Sequence, residues 1–202
     1  MEGDNDPRFE PLAGGSPSAT GCSSSTTPPV RWTIRTISKH FPEGRTFFHD
    51  YYRPFRLKML KDAPYAYGST FERVSLHTTE QWDARWSSPN AIHFVALLSC
   101  RIPADNTDPK IISALTLRGP GCDSCWEINA VFTDEEYRRM GIAKSVMDEV
   151  VKYVERERGN KKTLMRLGVL AENEEAEGLY EKVGFLEKWA DGGGLEMVRI
   201  LG

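Results

Sequence analysis

The spacing of apolar side chains changes from strand-like to helical near residue 133, and that change constrains the fold more than any other feature. Before it, Ile92 to Ile102, Ile111 to Leu117 and Trp126 to Thr133 are short apolar runs. They are separated by Pro103 to Pro109 and Gly119 to Gly121, as in an antiparallel meander. After it, Ile142, Val146, Met147, Val150, Val151 and Val154 recur at helical spacing, with Lys, Asp, Glu and Arg on the opposite face. A strand therefore runs through a short loop into an amphipathic helix that has to cover a sheet.

The flanking segments extend the pattern. Val30 to Ile37 alternates through Val30, Trp32, Ile34 and Thr36, which predicts a strand. Phe47 to Lys61 has helical spacing interrupted at Pro54, and Ala63-Pro64 ends it. Ser69-Thr70-Phe71-Glu72 fits a capping box opening a second helix toward Trp82 and Trp86. Beyond Gly159-Asn160, Leu164 to Leu170 reads as a buried strand. Ala176, Leu179, Tyr180 and Val183 make a short helix closed by Gly184, and Phe185 to Trp189 and Leu195 to Leu201 are two last strands. The predicted order is β-α-α-β-β-β-α-β-α-β-β. Residues 1 to 29, rich in Ser, Thr, Gly and Pro, have almost nothing to bury and are expected to form a disordered tail, leaving one domain over residues 30 to 202.

Charge and cysteine usage exclude several function classes. The net charge of −3 resides in the tail, where Glu2, Asp4, Asp6 and Glu10 face only Arg8, so the body is neutral and has no general attraction for nucleic acid. No long uncharged apolar run predicts a membrane span, and the acidic start lacks a secretory leader. Glu2 stands where a myristoylation signal needs glycine. Cys122-x-x-Cys125 has no second ligand pair, and His40, His49, His77 and His93 are scattered, so no metal is expected. The C-x-x-C reads as a hairpin tip with reduced thiols, in a cytoplasmic compartment with the nucleus left open.

The sharpest local feature is the loop before the long helix. The first turn of a helix leaves backbone N–H groups unpaired, and its dipole adds positive potential. Gly141 removes a Cβ there, Ala143 keeps another small, and Arg138 and Arg139 add charge, which suits a diphosphate. The bland alternative is a turn glycine beside solvated arginines. No Gly-Lys-Ser/Thr follows, and the glycine spacing is not that of a dinucleotide-binding fold.

Arg138-x-x-Gly141-x-Ala143 resembles the acyl-CoA-binding motif of the GNAT superfamily of N-acetyltransferases. Asn173-Glu174-Glu175-Ala176-Glu177-Gly178-Leu179-Tyr180-Glu181-Lys182-Val183-Gly184-Phe185 is similar to a second block of that family, in the right order and separated by a strand. Leu57 to Thr70 also looks like a stretch found in a subset of small, substrate-unassigned GNAT enzymes, in a region that borders the acceptor pocket. The resemblance covers everything except the tail. It implies an α/β (α+β) fold with a mixed, mostly antiparallel central sheet flanked by helices.

It also implies acetyl-CoA as co-substrate and direct acetyl transfer to a primary amine in a ternary complex. The amides of Arg138, Arg139, Met140, Gly141, Ile142 and Ala143 would hold the diphosphate. Val131 and Thr133 would offer backbone groups to the pantetheine arm, and Asn173 would bond the same arm. Glu127, Asn129, Val131 and Thr133 share strand parity, so all four are expected on one face. Glu127 is then the candidate base, Asn129 orients substrate or water, and Tyr180 is the candidate acid toward the departing thiolate. The competing readings are a cross-strand glutamate and a core tyrosine. Trp82 and Trp86, four apart, read as packing residues sooner than a cation cage; Tyr65 and Tyr67 are further pocket candidates. The acceptor is a small-molecule or protein amine, and the chain a monomer or homodimer. The second function class is a non-catalytic acyl-CoA-binding module on the same fold.

Overall fold

The computed structural model describes residues 30–39, 42–99, 108–121, 124–170, 172–191 and 193–202. The expected tail, His40 and Cys122 lie outside the described residues. Seven strands, β1 Trp32–Thr36, β2 Ala91–Leu98, β3 Ile111–Arg118, β4 Cys125–Thr133, β5 Thr163–Leu170, β6 Leu186–Asp191 and β7 Gly194–Leu201, form one sheet in the order β1-β2-β3-β4-β5-β7-β6. Every neighbouring pair is antiparallel except β4–β5. The parallel step falls at the change of hydrophobic period, because the helix α5, Ile142–Arg158, carries the chain back across the sheet.

Helices cover both faces. On one, α1 Pro42–Phe47, α2 Arg53–Asp62, α3 Phe71–Ser75 and α4 Thr79–Ser87 build a core around Phe48, Tyr52, Phe55, Leu60, Val74 and Trp82. On the other, α5 and α6, Glu174–Lys182, bury Val146, Met147, Val150, Tyr180, Val183 and Phe185. β2 and β3 are sandwiched between the layers, which explains why their sequences read as continuous apolar runs.

Two local expectations change. The interruption at Pro54 takes the form of a π-helical turn, Phe48–Tyr52, with Pro54 in the first turn of α2; proline has no N–H to donate back, and the wider turn absorbs that. The cap of α3 is Thr70, whose hydroxyl accepts from the Arg73 N–H at 3.3 Å, and not Ser69, whose Oγ accepts from the Arg73 guanidinium at 3.0 Å. The reciprocal capping box instead opens α4, between Thr78 and Gln81.

Candidate functional site

β4 and β5 pair only from Cys125↔Leu164 to Ile128↔Leu167, although both strands continue beyond. Past that point the strands part and the sheet opens. The cause lies in β4, where Ala130 takes a left-handed φ of 59° and Phe132, not Val131, faces Ala114 in the β3 ladder. This is a β-bulge, one extra residue that bends the strand at a cost non-glycine residues rarely bear away from functional sites.

The bulge corrects the expected parity. Glu127 and Asn129 share a face with Arg118 and Thr116, their ladder partners. Val131, however, packs against the buried cluster on the α5 side, and Thr133 faces Ser113, with the two hydroxyls 2.9 Å apart. The four residues do not line one surface. The backbone of the last two turns into the gap: the Val131 carbonyl accepts from the Tyr67 hydroxyl at 2.9 Å, and the Thr133 carbonyl accepts from Arg138 Nε at 3.2 Å. Both therefore point away from β3, as strand alternation requires when Asp134 N–H donates to the Ile112 carbonyl.

A cavity of about 690 Å³ passes through this gap. Its walls come from both faces of the sheet: Tyr52, Arg56, Trp82, Arg85 and His93 on one side, Val169, Asn173 and Tyr180 on the other, with Glu127 and Asn129 to Val131 between. Tyr180 is 6% exposed, its ring edge-on to Phe185 at 6.4 Å, and its hydroxyl makes no hydrogen bond to a described residue. Burial, with Tyr67 nearby, pushes its pKa further above the ordinary phenol value, so it keeps its proton at neutral pH. Asn173 caps α6, its Oδ1 accepting from Ala176 N–H at 3.2 Å, which leaves the amide NH₂ as the group it can offer the cavity. Glu127 lines the cavity yet also takes part in the cross-strand pair weighed above: its carboxylate lies 3.6 Å from Arg166, on the opposite position of β5, at 43% side-chain exposure.

Tyr65 and Tyr67 part company. Tyr65 is 78% exposed, whereas Tyr67 lines the cavity, and burial raises its pKa to about 12. Trp82 forms the wall; Trp86 is half-buried and donates to the Ser38 carbonyl at 3.1 Å. Nothing local in the sequence singles out His93, which is buried and lines the cavity. Its Nδ1 lies 3.0 Å from Thr116 Oγ1, which in turn lies 3.1 Å from the Tyr52 hydroxyl. Burial lowers the His93 pKa to about 4, so it is neutral at pH 7. The unfolded chain then binds more protons than the folded one between about pH 6.5 and pH 4. Stability is expected to fall across that window on acidification, by at most about 3 kcal/mol. Urea midpoints measured from pH 7 to pH 4 check this: His93→Gln should lose far less over the window, and parallel losses would contradict it.

The predicted anion loop stands at the far end of β4. Arg139 has φ 63° and Gly141 φ 82°, and Gly141 precedes α5 with no side-chain cap, so the first N–H groups of a 17-residue helix face outward. A Cβ on Gly141 would meet no atom of the chain within 4 Å. The space beside Gly141 is therefore open, and the chain itself does not block a ligand from reaching the first N–H groups of α5. Arg138, Arg139, Met140 and Gly141 are exposed; Ile142 is buried, Ala143 half-buried, and Arg139 makes only a loose 3.8 Å pair with Glu175. Strand edges that no neighbouring strand bonds beyond Ile128↔Leu167, ending at a helix N-terminus that can bond a diphosphate, fit coenzyme A in shape and polarity. Among the described residues no cluster of ligating side chains could hold a metal ion, and no helix is long and apolar enough to cross a membrane.

A model of the acetyltransferase (GNAT) family matches residues 48–185. No curated protein matches the chain. Among solved structures, an acetyltransferase of the GNAT family from Streptococcus pneumoniae superposes with a TM-score of 0.63 at 14% identity, covering 85% of this chain and 100% of that one. A domain from Methanocaldococcus jannaschii gives 0.60 at 15% identity, over 85% and 99%. A spermidine N-acetyltransferase from Vibrio cholerae (a point mutant) gives 0.58 at 15% identity, over 84% and 93%. At these identities the likeness extends to the fold.

Proposed function

The chain belongs to the acetyltransferase (GNAT) family, and from that premise we propose that it transfers an acetyl group from acetyl-CoA to a primary amine, directly, in a ternary complex. The observation that carries this reading is the gap between β4 and β5, with the Tyr180 hydroxyl behind it and the α5 N-terminus at its end. Residues 30–202 form the catalytic unit, with residues 1–29 a tail outside it.

The amides of Arg139 to Ala143 hold the diphosphate, with Arg138 and Arg139 adding charge. The backbone groups of Val131 and Thr133 and the amide of Asn173 align the pantetheine arm. Bound acetyl-CoA supplies the acetyl group as a thioester, whose C–S bond breaks as the amine nitrogen bonds the carbonyl carbon. A β4 backbone N–H near the bulge steadies the negative charge developing on the carbonyl oxygen. Tyr180 gives its phenolic proton to the departing sulfur and is reprotonated from solvent. The burial that keeps this phenol protonated also raises the proton affinity of the thiolate, so the transfer remains feasible in the same dry site. Glu127, at the cavity mouth, accepts the amine proton through water.

Incubating the protein with acetyl-CoA and an amine panel, with products read by mass spectrometry, tests this reading. Acetylated amine is the expected result. Acetyl-CoA binding with no product from any amine would favour the non-catalytic acyl-CoA-binding module. Glu127→Gln is expected to lower kcat/KM roughly tenfold near pH 7. That ratio should shrink toward pH 9 and above, where more of an alkylamine with pKa near about 10 is already neutral. A ratio that stays constant with pH would remove Glu127 from the proton path.

A further inference from the structure

Three guanidinium groups share the acceptor side of the cavity with a single carboxylate. Arg56 comes from α2, Arg85 from α4 and Arg118 from the end of β3, and all three line the wall. The lone carboxylate, Glu127, stands opposite Arg118 in the β3–β4 ladder, but its ion pair, at 3.6 Å, is with Arg166 of β5, outside the three. Arg56 has no acidic partner among the described residues: a terminal nitrogen lies 3.2 Å from Met59 Sδ, and its Cζ is 5.5 Å from the centre of the Tyr67 ring. Arg85 lies 5.8 Å from the Trp82 ring and likewise pairs with no described carboxylate. Asp83, on the same helix, is held instead by Arg45 at 2.7 Å and His49 at 2.8 Å. Two further cations stand at the rim, Lys39 donating to the Ser88 carbonyl and Arg73 to the Gly68 carbonyl and Ser69 Oγ. The buried indole N–H of Trp82 also has no acceptor among the described residues.

Guanidiniums do not shed their proton at any ordinary pH, so gathering them without a counter-ion is costly. Burial pulls the pKa of Arg56 and Arg85 below the usual value, and for Arg85 the nearness of Arg56, Arg118 and Arg73 adds to this. An anion entering here would meet charge-assisted donors from three elements. The phosphates of coenzyme A do not supply it in the reading above, because they sit at the other end of β4, and the strand from Glu127 to Thr133 spans about 20 Å.

We propose that the acceptor is a small amine bearing its own carboxylate or phosphate, whose anionic end is held among Arg56, Arg85 and Arg118 while its amine faces the gap between β4 and β5. The proposal rests on the N-acetyltransferase reading and narrows its substrate class. A polyamine, cationic along its length, would be repelled from this chamber.

The test is acetyl transfer by the full chain to free α-amino acids beside their α-carboxamides, to phosphoethanolamine beside ethanolamine, and to spermidine. For at least one pair, kcat/KM is expected to be about tenfold or more higher for the anionic member. The pair that responds identifies the anion. Arg85→Gln and Arg118→Gln should each cut that preference about tenfold, mainly through KM. Transfer to spermidine or the carboxamides as efficient as to the anionic amines would overturn the inference and leave the acetyltransferase reading standing. If no amine is acetylated, that reading fails, and binding still decides the substrate class. The CoA-loaded chain is then titrated with N-acetylglycine, N-acetyl phosphoethanolamine and N-acetylglycinamide. Salt-sensitive binding of either anion about tenfold tighter than the amide supports the proposal; equal affinity, or no binding of any, overturns it.

Discussion

Gly141→Glu is expected to weaken acetyl-CoA binding by about a hundredfold or more while the fold survives. The backbone at residue 141 has φ 82°, a region where any side chain is strained by roughly 1–2 kcal/mol. That strain is local and exposed, and a Cβ there touches nothing in the chain, so the protein itself has room for the substitution. The ligand does not. A carboxylate projecting into the cradle occupies the space of the diphosphate and brings negative charge against it, at the spot where the α5 dipole is positive. Calorimetric titration should show the loss, and the thermal unfolding temperature should drop only modestly. Gly141→Ala separates the two effects, because it carries the strain without the charge and should retain measurable binding. Acetyl-CoA binding unchanged in the glutamate variant would place the diphosphate elsewhere.

Tyr180→Phe is expected to lower kcat by about a hundredfold or more while acetyl-CoA affinity stays within a few-fold of wild type. The ring is core: it lies with Val183, Phe185 and Met147 in the α5–α6 layer, and phenylalanine keeps that packing. The hydroxyl bonds no described residue, so its removal leaves no orphaned partner in the chain. A large kcat effect with unaltered stability would therefore report proton transfer, separating the two roles the residue combines. A variant that turns over like wild type across every productive acceptor would reduce Tyr180 to packing.

The seven strands, the burial of the α5 stripe and the loop before it were legible in the sequence because each is local, whereas the two helices expected between β1 and β2 are four, α1 to α4. Periodicity fixes which side of a helix is buried, and a glycine at a strand-to-helix junction marks where backbone can be left open. The bulge at Ala130 was not legible. Bulges with a left-handed residue usually advertise themselves by glycine, and here an alanine carries the strained φ, so alternation read straight through it misplaced Val131 and Thr133. Thr78 likewise shares its capping pattern with the Ser69–Glu72 stretch, and tertiary context decides which forms the box. The arginines of the chamber leave no local trace at all. Arg56, Arg85 and Arg118 come from three elements far apart in the chain, and only the packing of α2 and α4 on the sheet brings them together with His93. Tyr67 differs from Tyr65 by two residues, yet one points its hydroxyl at β4 and the other points into solvent.

Whether main-chain amides at the start of α5 grip the diphosphate of acetyl-CoA is decided by amide NMR of the full chain titrated with acetyl-CoA. Saturable shifts centred on the N–H signals of Met140, Gly141, Ile142 and Ala143, with smaller ones at Val131 and Thr133, are the predicted result. Binding that leaves residues 139–143 undisturbed, or no binding at all, would contradict it.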